Sequence, residues 1–446
     1  MANFAKSHVP QFSMDVYQNE YLPEGGREVN AIVTVTATGG GTVGSAVTPV
    51  RPAGRGPSAA VAIMVDCSGS MDYPPTKMRG ARDATAAAID ALRDGTHFAV
   101  IGGTHVAKEV YPGGGGLATA DATTREQAKQ ALRRLSAGGG TAIGTWLRLA
   151  DRLLNSDDVT IRHGILLTDG RNEHESPEDL RAALDACAGR FTCDARGVGT
   201  DWEVKEVTGI ASALLGSADI VADPAGLAAD FTRMMETAMG KEVADVALRV
   251  WAPVGTAIRF VKQVAPTVED LTDRRTEAGP RAGDYPTGSW GDESRDYHVC
   301  VEVPAAGLGQ EMLAARVSLV VPQPDGSVQN VGAQGLVRAV WTDDMTASTS
   351  INPQVAHYTG QAELAQAIQQ GLDLRKAGDF DGATAKLGRA VQLASASGNA
   401  DTAKLLAKVV DVVDAATGTV RLKTRVAEAD EMTLETRSTK TVRVKK

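Results

Sequence analysis

An unbroken apolar run, Ala59 to Val65, constrains the fold of this 446-residue chain more than any other segment. Such a run is typical of a strand buried on both faces of a parallel sheet. Asp66, Ser68 and Ser70 follow it directly, and Gly69 between them allows a sharp turn. Because ligands bind at the carboxyl ends of parallel strands, this turn is a candidate binding site. Its carboxylate and hydroxyl oxygens suit a small hard cation, above all Mg²⁺.

Two later loops carry side chains of the same kind. Thr141 follows three glycines, and Asp169 follows an apolar strand-like segment. An alternative explanation is that the residues after Val65 only cap a helix, since Ser and Asp are favoured N-caps. That explanation does not account for Thr141 and Asp169, which stand at the ends of two further predicted elements. We therefore favour a metal site built from three loops.

The segment Asp66-Cys67-Ser68-Gly69-Ser70 resembles the Asp-x-Ser-x-Ser core of the metal-ion-dependent adhesion site (MIDAS) of von Willebrand factor type A (VWA) domains. In that family a threonine and a second aspartate come from two later loops, and Thr141 and Asp169 match them in order. The five residues Asp66, Ser68, Ser70, Thr141 and Asp169 therefore fill the whole family motif. The resemblance covers residues 57–240. The Ala, Gly, Asp and Arg bias of the composition favours a bacterial type of VWA protein, and the N-terminal segment without an apolar region favours a cytosolic one.

The resemblance implies a division of roles among these residues. Ser68 and Ser70 would bind the metal directly, and Thr141 would bind it when a partner is engaged. Asp66 and Asp169 would act largely through bound water. In the family, the open metal position takes a Glu or Asp carboxylate from a partner protein. We expect Mg²⁺ here, with Mn²⁺ or Ca²⁺ as alternatives.

The pattern of elements predicts the fold class. Strand-like and helix-like segments alternate over 57–240, which indicates an α/β domain with a doubly wound, mostly parallel sheet. We predict that this VWA domain is inserted in a β-sandwich, and that the early strand over 29–37 pairs with the later strands. A C-terminal helical bundle, with helices over 361–377, 380–395 and 401–415, follows the sandwich. The predicted regions are, in chain order, 1–56 (N-terminal strands of the split sandwich and a Gly/Pro-rich linker), 57–240 (VWA domain), 241–346 (β-sandwich), 347–418 (helical region with one tetratricopeptide-like hairpin) and 419–446 (basic tail).

Composition excludes several classes of function. The formal net charge is −9, and an acidic surface argues against nonspecific nucleic-acid binding. No run of 18 apolar residues exists, and the N-terminal segment has no apolar h-region, so we expect a cytoplasmic protein without a membrane partner. The four cysteines show no metal-ligand spacing, which favours reduced thiols.

The last residues form a separate question. Five hydroxyl side chains lie between Thr433 and Thr441, and basic residues stand among them and after them, up to Lys446. We expect a solvated, disordered tail. The alternatives are a phosphorylation segment, which would imply a kinase or a phosphopeptide-reading partner, and a tail docked on the chain's own acidic surface.

No motif of an enzyme is present. The chain has no Walker loop, no His-Glu-x-x-His and no Gly-x-Ser-x-Gly, and Glu173-His174-Glu175 is expected to be a solvated loop on the metal rim. The sequence predicts an adaptor that captures an acidic residue of a partner protein at the metal. A metal-dependent hydrolase and a metal-dependent self-assembling structural protein are the alternative classes.

Overall fold

The structure is a computed structural model that describes residues 10–38, 58–155, 159–323, 326–332 and 334–444. The described residues form two compact units. The first contains Pro10, 58–155, 159–244 and 288–292, and the second contains 11–38, 245–287 and the described residues from 293 onward. The predicted linker over 39–57 lies outside the described residues.

Three strands of the second unit come first in the chain: β1 (Gln11–Gln18), β2 (Tyr21–Leu22) and β3 (Glu28–Thr38). The first unit follows them and alternates strands and helices. Its elements are β4 (Ala59–Asp66), α1 (Thr76–Asp90), β5 (His97–Gly103), β6 (Ala107–Tyr111), β7 (Ala118–Thr119), α2 (Ala122–Leu132), α3 (Ile143–Leu154), β8 (Ile161–Thr168), α4 (Pro177–Cys187), β9 (Thr192–Val198), α5 (Val204–Ala213), β10 (Ala218–Val221) and α6 (Leu227–Met239).

The strands of this unit form one sheet in the order β10-β9-β8-β4-β5-β6, with β7 paired to β5. All neighbours are parallel except β6 and β7, which run antiparallel to β5. The chain leaves β4 toward β5 on one side and later returns to β8 on the other. The strand order therefore reverses at β4, and such a switch point opens a crevice at the carboxyl ends of the strands.

Strand β4 is apolar because both of its faces are buried. Val61, Ile63 and Val65 belong to one hydrophobic cluster with side chains of α1 and α6. The intervening residues of β4 face the opposite side of the sheet because side chains alternate along a strand, and they are equally buried. On the two faces, α1 packs against α2 and α6, whereas α3 packs against α4.

The remaining elements begin with strands and end with helices. They are β11 (Val243–Trp251), β12 (Ala257–Ala265), β13 (Glu269–Asp270), β14 (Thr276–Gly279), β15 (Ala282–Trp290), β16 (Glu293–Glu302), β17 (Glu311–Pro322), β18 (Val328–Asn330), β19 (Gly335–Trp341), α7 (Met345–Thr349), α8 (Pro353–Lys376), α9 (Phe380–Ala396), α10 (Ala400–Val409), β20 (Val410–Asp414), β21 (Thr419–Leu422) and α11 (Glu428–Arg437).

These strands form two mainly antiparallel sheets, in the orders β1-β3-β16-β12-β13 and β14-β15-β11-β17-β19-β2. The sheets contact each other where β19 meets β1 and β3. Strand β3 pairs antiparallel with β16, for example Val33 opposite Tyr297, so the parallel-sheet region is inserted between two paired strands. The predicted fold class is therefore confirmed. Strand β1 was not predicted, although Phe12, Met14 and Val16 alternate with polar residues along it.

The predicted helix over 401–415 is wrong in its second half. Helix α10 ends at Val409, and Val410 begins a hairpin in which β20 pairs with β21. Val410, Val412 and Val413 are β-branched and favour a strand. Gly418, with a φ of 70°, supplies the left-handed residue of the turn.

The expectation of a solvated tail is also wrong. Helix α11 buries Leu434 in a cluster with side chains of α8, α9 and α10. Beyond it, Thr441 donates its hydroxyl to the carbonyl of Val264 over 2.7 Å. Arg443 pairs with the buried carboxylate of Asp296 over 3.1 Å. The alternative of a tail docked on the chain's own acidic residues therefore describes this segment better.

The same packing covers two of the five tail hydroxyl groups, whereas Thr433, Thr439 and Thr441 are half-buried. Thr436 and Ser438 are buried, and the Thr436 hydroxyl donates to the carbonyl of Met432. A kinase would reach the hydroxyls of Thr436 and Ser438 only after the tail had detached from the protein.

Among the described residues, no helix has the length and apolar character that a membrane span requires.

We predict that Leu434→Ala lowers the free energy of unfolding by about 2–5 kcal/mol, because it leaves a cavity in a packed cluster. Leu308→Ala is the matched control, since the side chain of Leu308 is 46% exposed. Urea unfolding followed by circular dichroism measures both variants. Equal, small effects of the two substitutions would contradict the assignment of α11 to the core.

Candidate metal site

Asp66 joins two of the three loops at the switch point. It is the last residue of β4 and is fully buried. Its Oδ1 accepts a hydrogen bond from the Ser68 backbone N–H over 2.8 Å. Its Oδ2 accepts from the Thr168 hydroxyl over 2.7 Å and faces the Asp169 N–H at 3.4 Å. The carboxylate thus holds the end of β4 to the end of β8.

The hydroxyl groups gather beside Asp169. Ser68 Oγ lies 2.9 Å from Ser70 Oγ, and Ser70 Oγ donates to Asp169 Oδ1 over 2.7 Å. A methyl group added at Gly170 would lie 3.0 Å from Ser70 Oγ, 3.6 Å from Thr141 Oγ1 and 3.9 Å from Ser68 Oγ. Three hydroxyl oxygens from two loops therefore surround one point. The structure brings all five residues of the predicted site together: Asp66, Ser68, Ser70, Thr141 and Asp169.

Backbone hydrogen bonds fix the glycine loop that carries Thr141. The N–H of Gly69 donates to the carbonyl of Gly139 over 2.9 Å, and the N–H of Gly138 donates to the carbonyl of Cys67 over 2.8 Å. Gly139 has a φ of 84°, which a residue with a side chain rarely adopts. The loop thereby lies directly on the Asp66 turn, and Thr141 is buried.

The segment after Asp169 supports the Thr141 loop from the other side. Thr141 and His174 exchange two hydrogen bonds, N–H of His174 to O of Thr141 at 3.0 Å and N–H of Thr141 to Nδ1 of His174 at 3.3 Å. Glu175 Oε2 accepts from the Gly144 N–H over 2.8 Å, and Asn172 Oδ1 accepts from the Ile143 N–H over 2.7 Å. The expectation of a merely solvated loop is therefore wrong for Glu175, which is half-buried, whereas His174 is exposed and also contacts Thr141.

Lys77 is a site residue that the sequence analysis missed. Its Nζ lies 2.7 Å from Asp169 Oδ2 and 3.0 Å from Asp201 Oδ2. It sits in the first turn of α1, where the helix dipole disfavours a positive charge. A lysine at that position, shortly after an Asp-x-Ser-x-Ser turn, is the signal that would have pointed to it.

Burial controls the ionisation of the groups around the turn. Burial raises the pKa of Asp66, and the nearby charge of Asp169 adds to this, whereas hydrogen bonds from Ser68 and Thr168 oppose it. Burial raises the pKa of the Cys67 thiol to about 12, with the charge of Asp66 adding to the shift. Cys67 therefore stays a neutral thiol and does not offer a thiolate ligand at neutral pH.

The donor set fits a hard divalent cation. It combines two carboxylates with three hydroxyl groups, which are ligands that Mg²⁺, Mn²⁺ and Ca²⁺ accept. Within the part of the chain that the structure describes, no group of three or more His, Cys, Asp and Glu side chains could hold a metal ion. All five side chains of the site would offer oxygen atoms to an ion.

Glu206 of α5 lies behind the loop that follows Asp169. Burial raises its pKa to about 7, the carboxylates of Glu203 and Glu175 add to this, and a hydrogen bond from the Asn172 N–H opposes it. Its Oε1 is buried and has no hydrogen-bond partner among the described residues. Ionisation of Glu206 therefore destabilises the fold beneath the loop that follows Asp169.

Comparison with protein families matches two segments of the chain. Residues 59–220 match the model described as von Willebrand factor type A domain, and residues 392–438 match the von Willebrand factor type A C-terminal domain. Among solved structures, the von Willebrand factor type A protein from Catenulispora acidiphila is 52% identical, with 99% of each chain covered and a TM-score of 0.92.

More distant structures share less. The ArnB paralog VWA2 from Sulfolobus acidocaldarius is 13% identical, with 96% of this chain and 98% of that chain covered and a TM-score of 0.58, which shows a similar fold alone. Proximal thread matrix protein 1 from the mussel byssus, solved with a zinc occupied MIDAS motif, is 25% identical over 41% of this chain and 46% of that chain, with a TM-score of 0.35. No curated protein sequence matches the chain.

We predict that Glu206→Gln raises the melting temperature at pH 8 and changes it little at pH 5. The pKa of Glu206 is raised from 4.5 to about 7, so its contribution to stability is fully present below about pH 4.5 and is lost as pH rises through about 7. A neutral amide does not undergo this loss.

Thermal unfolding between pH 4 and pH 9 measures the difference between the two proteins. Glu178→Gln, an exposed residue of α4, is the control and should follow the wild-type curve. A Glu206→Gln curve that runs parallel to wild type at every pH would contradict the prediction.

Proposed function

Because the chain belongs to the von Willebrand factor type A family, whose members mediate metal-dependent protein interactions, we propose that it is a divalent-cation-dependent adaptor. In this proposal one cation at the Asp66 turn captures an Asp or Glu carboxylate of a partner protein. The observation that carries the proposal is the convergence of three hydroxyl oxygens, from Ser68, Ser70 and Thr141, beside the carboxylate of Asp169.

The surroundings of each residue support a division of roles. Ser68, Ser70 and Thr141 would offer their hydroxyl oxygens to the ion directly. Both oxygens of Asp66 already accept hydrogen bonds from the protein, so Asp66 would organise the loops and reach the ion through water. Asp169 has one oxygen on Ser70 and the other on Lys77, which suits the same indirect role.

The charges of the site support a partner carboxylate as the outer ligand. The bound cation would supply an electrophilic centre that attracts an anionic group. Its direct protein ligands would be neutral hydroxyls, and the carboxylates of Asp66 and Asp169 are shared with other donors. Much of the ionic charge would therefore be available to an acidic side chain from outside. The hard oxygen donors suit Mg²⁺ as the resident ion, with Mn²⁺ or Ca²⁺ as alternatives.

Compartment and class belong to the same proposal. The cysteines Cys67, Cys187, Cys193 and Cys300 are free and buried, which fits a reducing compartment such as the cytoplasm. We propose a binding protein and not an enzyme, because the sequence carries no hydrolase motif and both carboxylate oxygens of Asp169 are already engaged, by Ser70 and by Lys77. A hydrolase would instead lose turnover on metal removal, and a self-assembling protein would change its size with Mg²⁺ concentration.

We predict that Thr141→Ala and Asp66→Ala each weaken Mn²⁺ and Mg²⁺ binding by about tenfold or more, which is the usual scale for losing a ligand or its support. Asp66→Ala should also lower the free energy of unfolding by about 1–3 kcal/mol, because Thr168 and the Ser68 N–H lose their acceptor. Isothermal titration calorimetry on the full chain measures the affinities.

Exposed residues of the same types provide the controls. Thr123→Ala and Asp185→Ala lie on α2 and α4, away from the loops of the site, and should keep wild-type affinity. Once an acidic partner is in hand, its capture should disappear with chelator and with Thr141→Ala. Unchanged ion affinity in both site variants would count against the proposed metal site.

A further inference from the structure

Lys77 places a buried positive charge within the candidate metal site. Its side chain is 10% exposed, and its ammonium group bridges the fully buried carboxylate of Asp169 and the 67% exposed carboxylate of Asp201. The three groups come from α1, the loop after β8 and the loop after β9. The bridge is therefore built from separate elements and does not arise from neighbouring residues of one helix.

The position of this charge is costly for a purely structural contact. A buried ammonium loses its hydration, and the N-terminal turn of a helix carries a partial positive charge of its own. The Asp169 carboxylate already has one hydrogen bond, from Ser70 to Oδ1. Lys77 takes Oδ2, the other oxygen, over 2.7 Å. The two oxygens of Asp169 thus face two different surroundings, the hydroxyl cluster and the ammonium group.

We infer that Lys77 is a positioning residue that sets how tightly the site holds its cation. The inference rests on the proposed function and deepens it. Asp66 and Asp169 together carry a formal charge of −2, and the ammonium of Lys77 reduces the sum to −1. A divalent cation at the hydroxyl cluster is then attracted less strongly by the protein, since like charges in a partly buried site repel. Because the protein then neutralises less of the cation's charge, the cation attracts the partner's carboxylate more strongly.

Asp201 adjusts the strength of this effect. It is exposed and contacts Lys77 at 3.0 Å, so it shares the ammonium charge with Asp169. Without Asp201, the whole ammonium charge acts on Asp169 and on the cation, and one nearby negative charge is also lost. Removing Lys77 and removing Asp201 should therefore change the cation affinity in opposite directions. A merely structural bridge would predict that both substitutions weaken binding.

The experiment measures Mn²⁺ and Mg²⁺ affinity by isothermal titration calorimetry on the full chain at low ionic strength. Lys77→Met, which keeps the length of the side chain and removes its charge, should bind Mn²⁺ about tenfold more tightly than wild type, equal to about 1.4 kcal/mol. Lys77→Arg keeps the charge and should stay within about threefold of wild type. Asp201→Asn should weaken binding by about threefold. In Lys77→Met, the further change Asp201→Asn should have a smaller effect, because the two act through one ammonium group.

The outcomes separate the inference from the proposed function. Failure of the wild-type chain to bind either ion would overturn the proposed function and this inference with it. Wild-type binding together with unchanged or weaker binding by folded Lys77→Met would overturn the inference alone. If Lys77→Met does not fold, Lys77→Gln, which keeps a hydrogen-bond donor toward Asp169 without the charge, decides: tighter Mn²⁺ binding than wild type supports the inference, and unchanged or weaker binding overturns it.

Discussion

The candidate site depends on one interaction, the pair of hydrogen-bonded contacts that the buried carboxylate of Asp66 makes to two loops. Oδ1 accepts from the backbone of Ser68 in its own loop, and Oδ2 accepts from the hydroxyl of Thr168 at the end of the neighbouring strand. A buried carboxylate has no water around it, so it requires hydrogen-bond donors from the protein to stabilise its charge. Its need for donors on both sides ties the ends of β4 and β8 together. The hydroxyl cluster of Ser68 and Ser70 can then lie beside Asp169, and small shifts of either strand end would separate these groups.

The fold makes that interaction rigid. Strand β4 lies in the middle of a parallel sheet with helices on both faces, so its carboxyl end has little freedom to move. The glycine loop before Thr141 is fixed to the Asp66 turn by backbone hydrogen bonds, and His174 and Glu175 hold it from the far side. Lys77 then offsets part of the negative charge that this packing concentrates. In the second unit, β3 pairs with β16, and α11 buries Leu434 among the C-terminal helices.

Several features were predictable because a local pattern specifies them. The helix over Pro177–Cys187 is capped by Ser176, whose hydroxyl accepts from the Asp179 N–H, and this cap is visible in the sequence. The hairpin from Val410 and the packing of the tail were not predictable in the same way. An Ala/Leu-rich segment with a few valines fits both a helix and a strand, and a basic segment such as the one around Arg443 shows no sign of its partner. Asp296, that partner, is more than a hundred residues away in the chain.

The sequence by itself determined which residue types stand at the ends of the strands, since an apolar run must end where the chain reaches water and polar groups. It therefore determined the parallel sheet, the three loops and the membership of Asp66, Ser68, Ser70, Thr141 and Asp169 in one candidate site. Only the tertiary structure decided the charge balance of that site. Lys77 reaches Asp169 because α1 and the loop after β8 lie side by side at the switch point. Such a contact depends on distances between separate elements, and no periodicity along the chain encodes it.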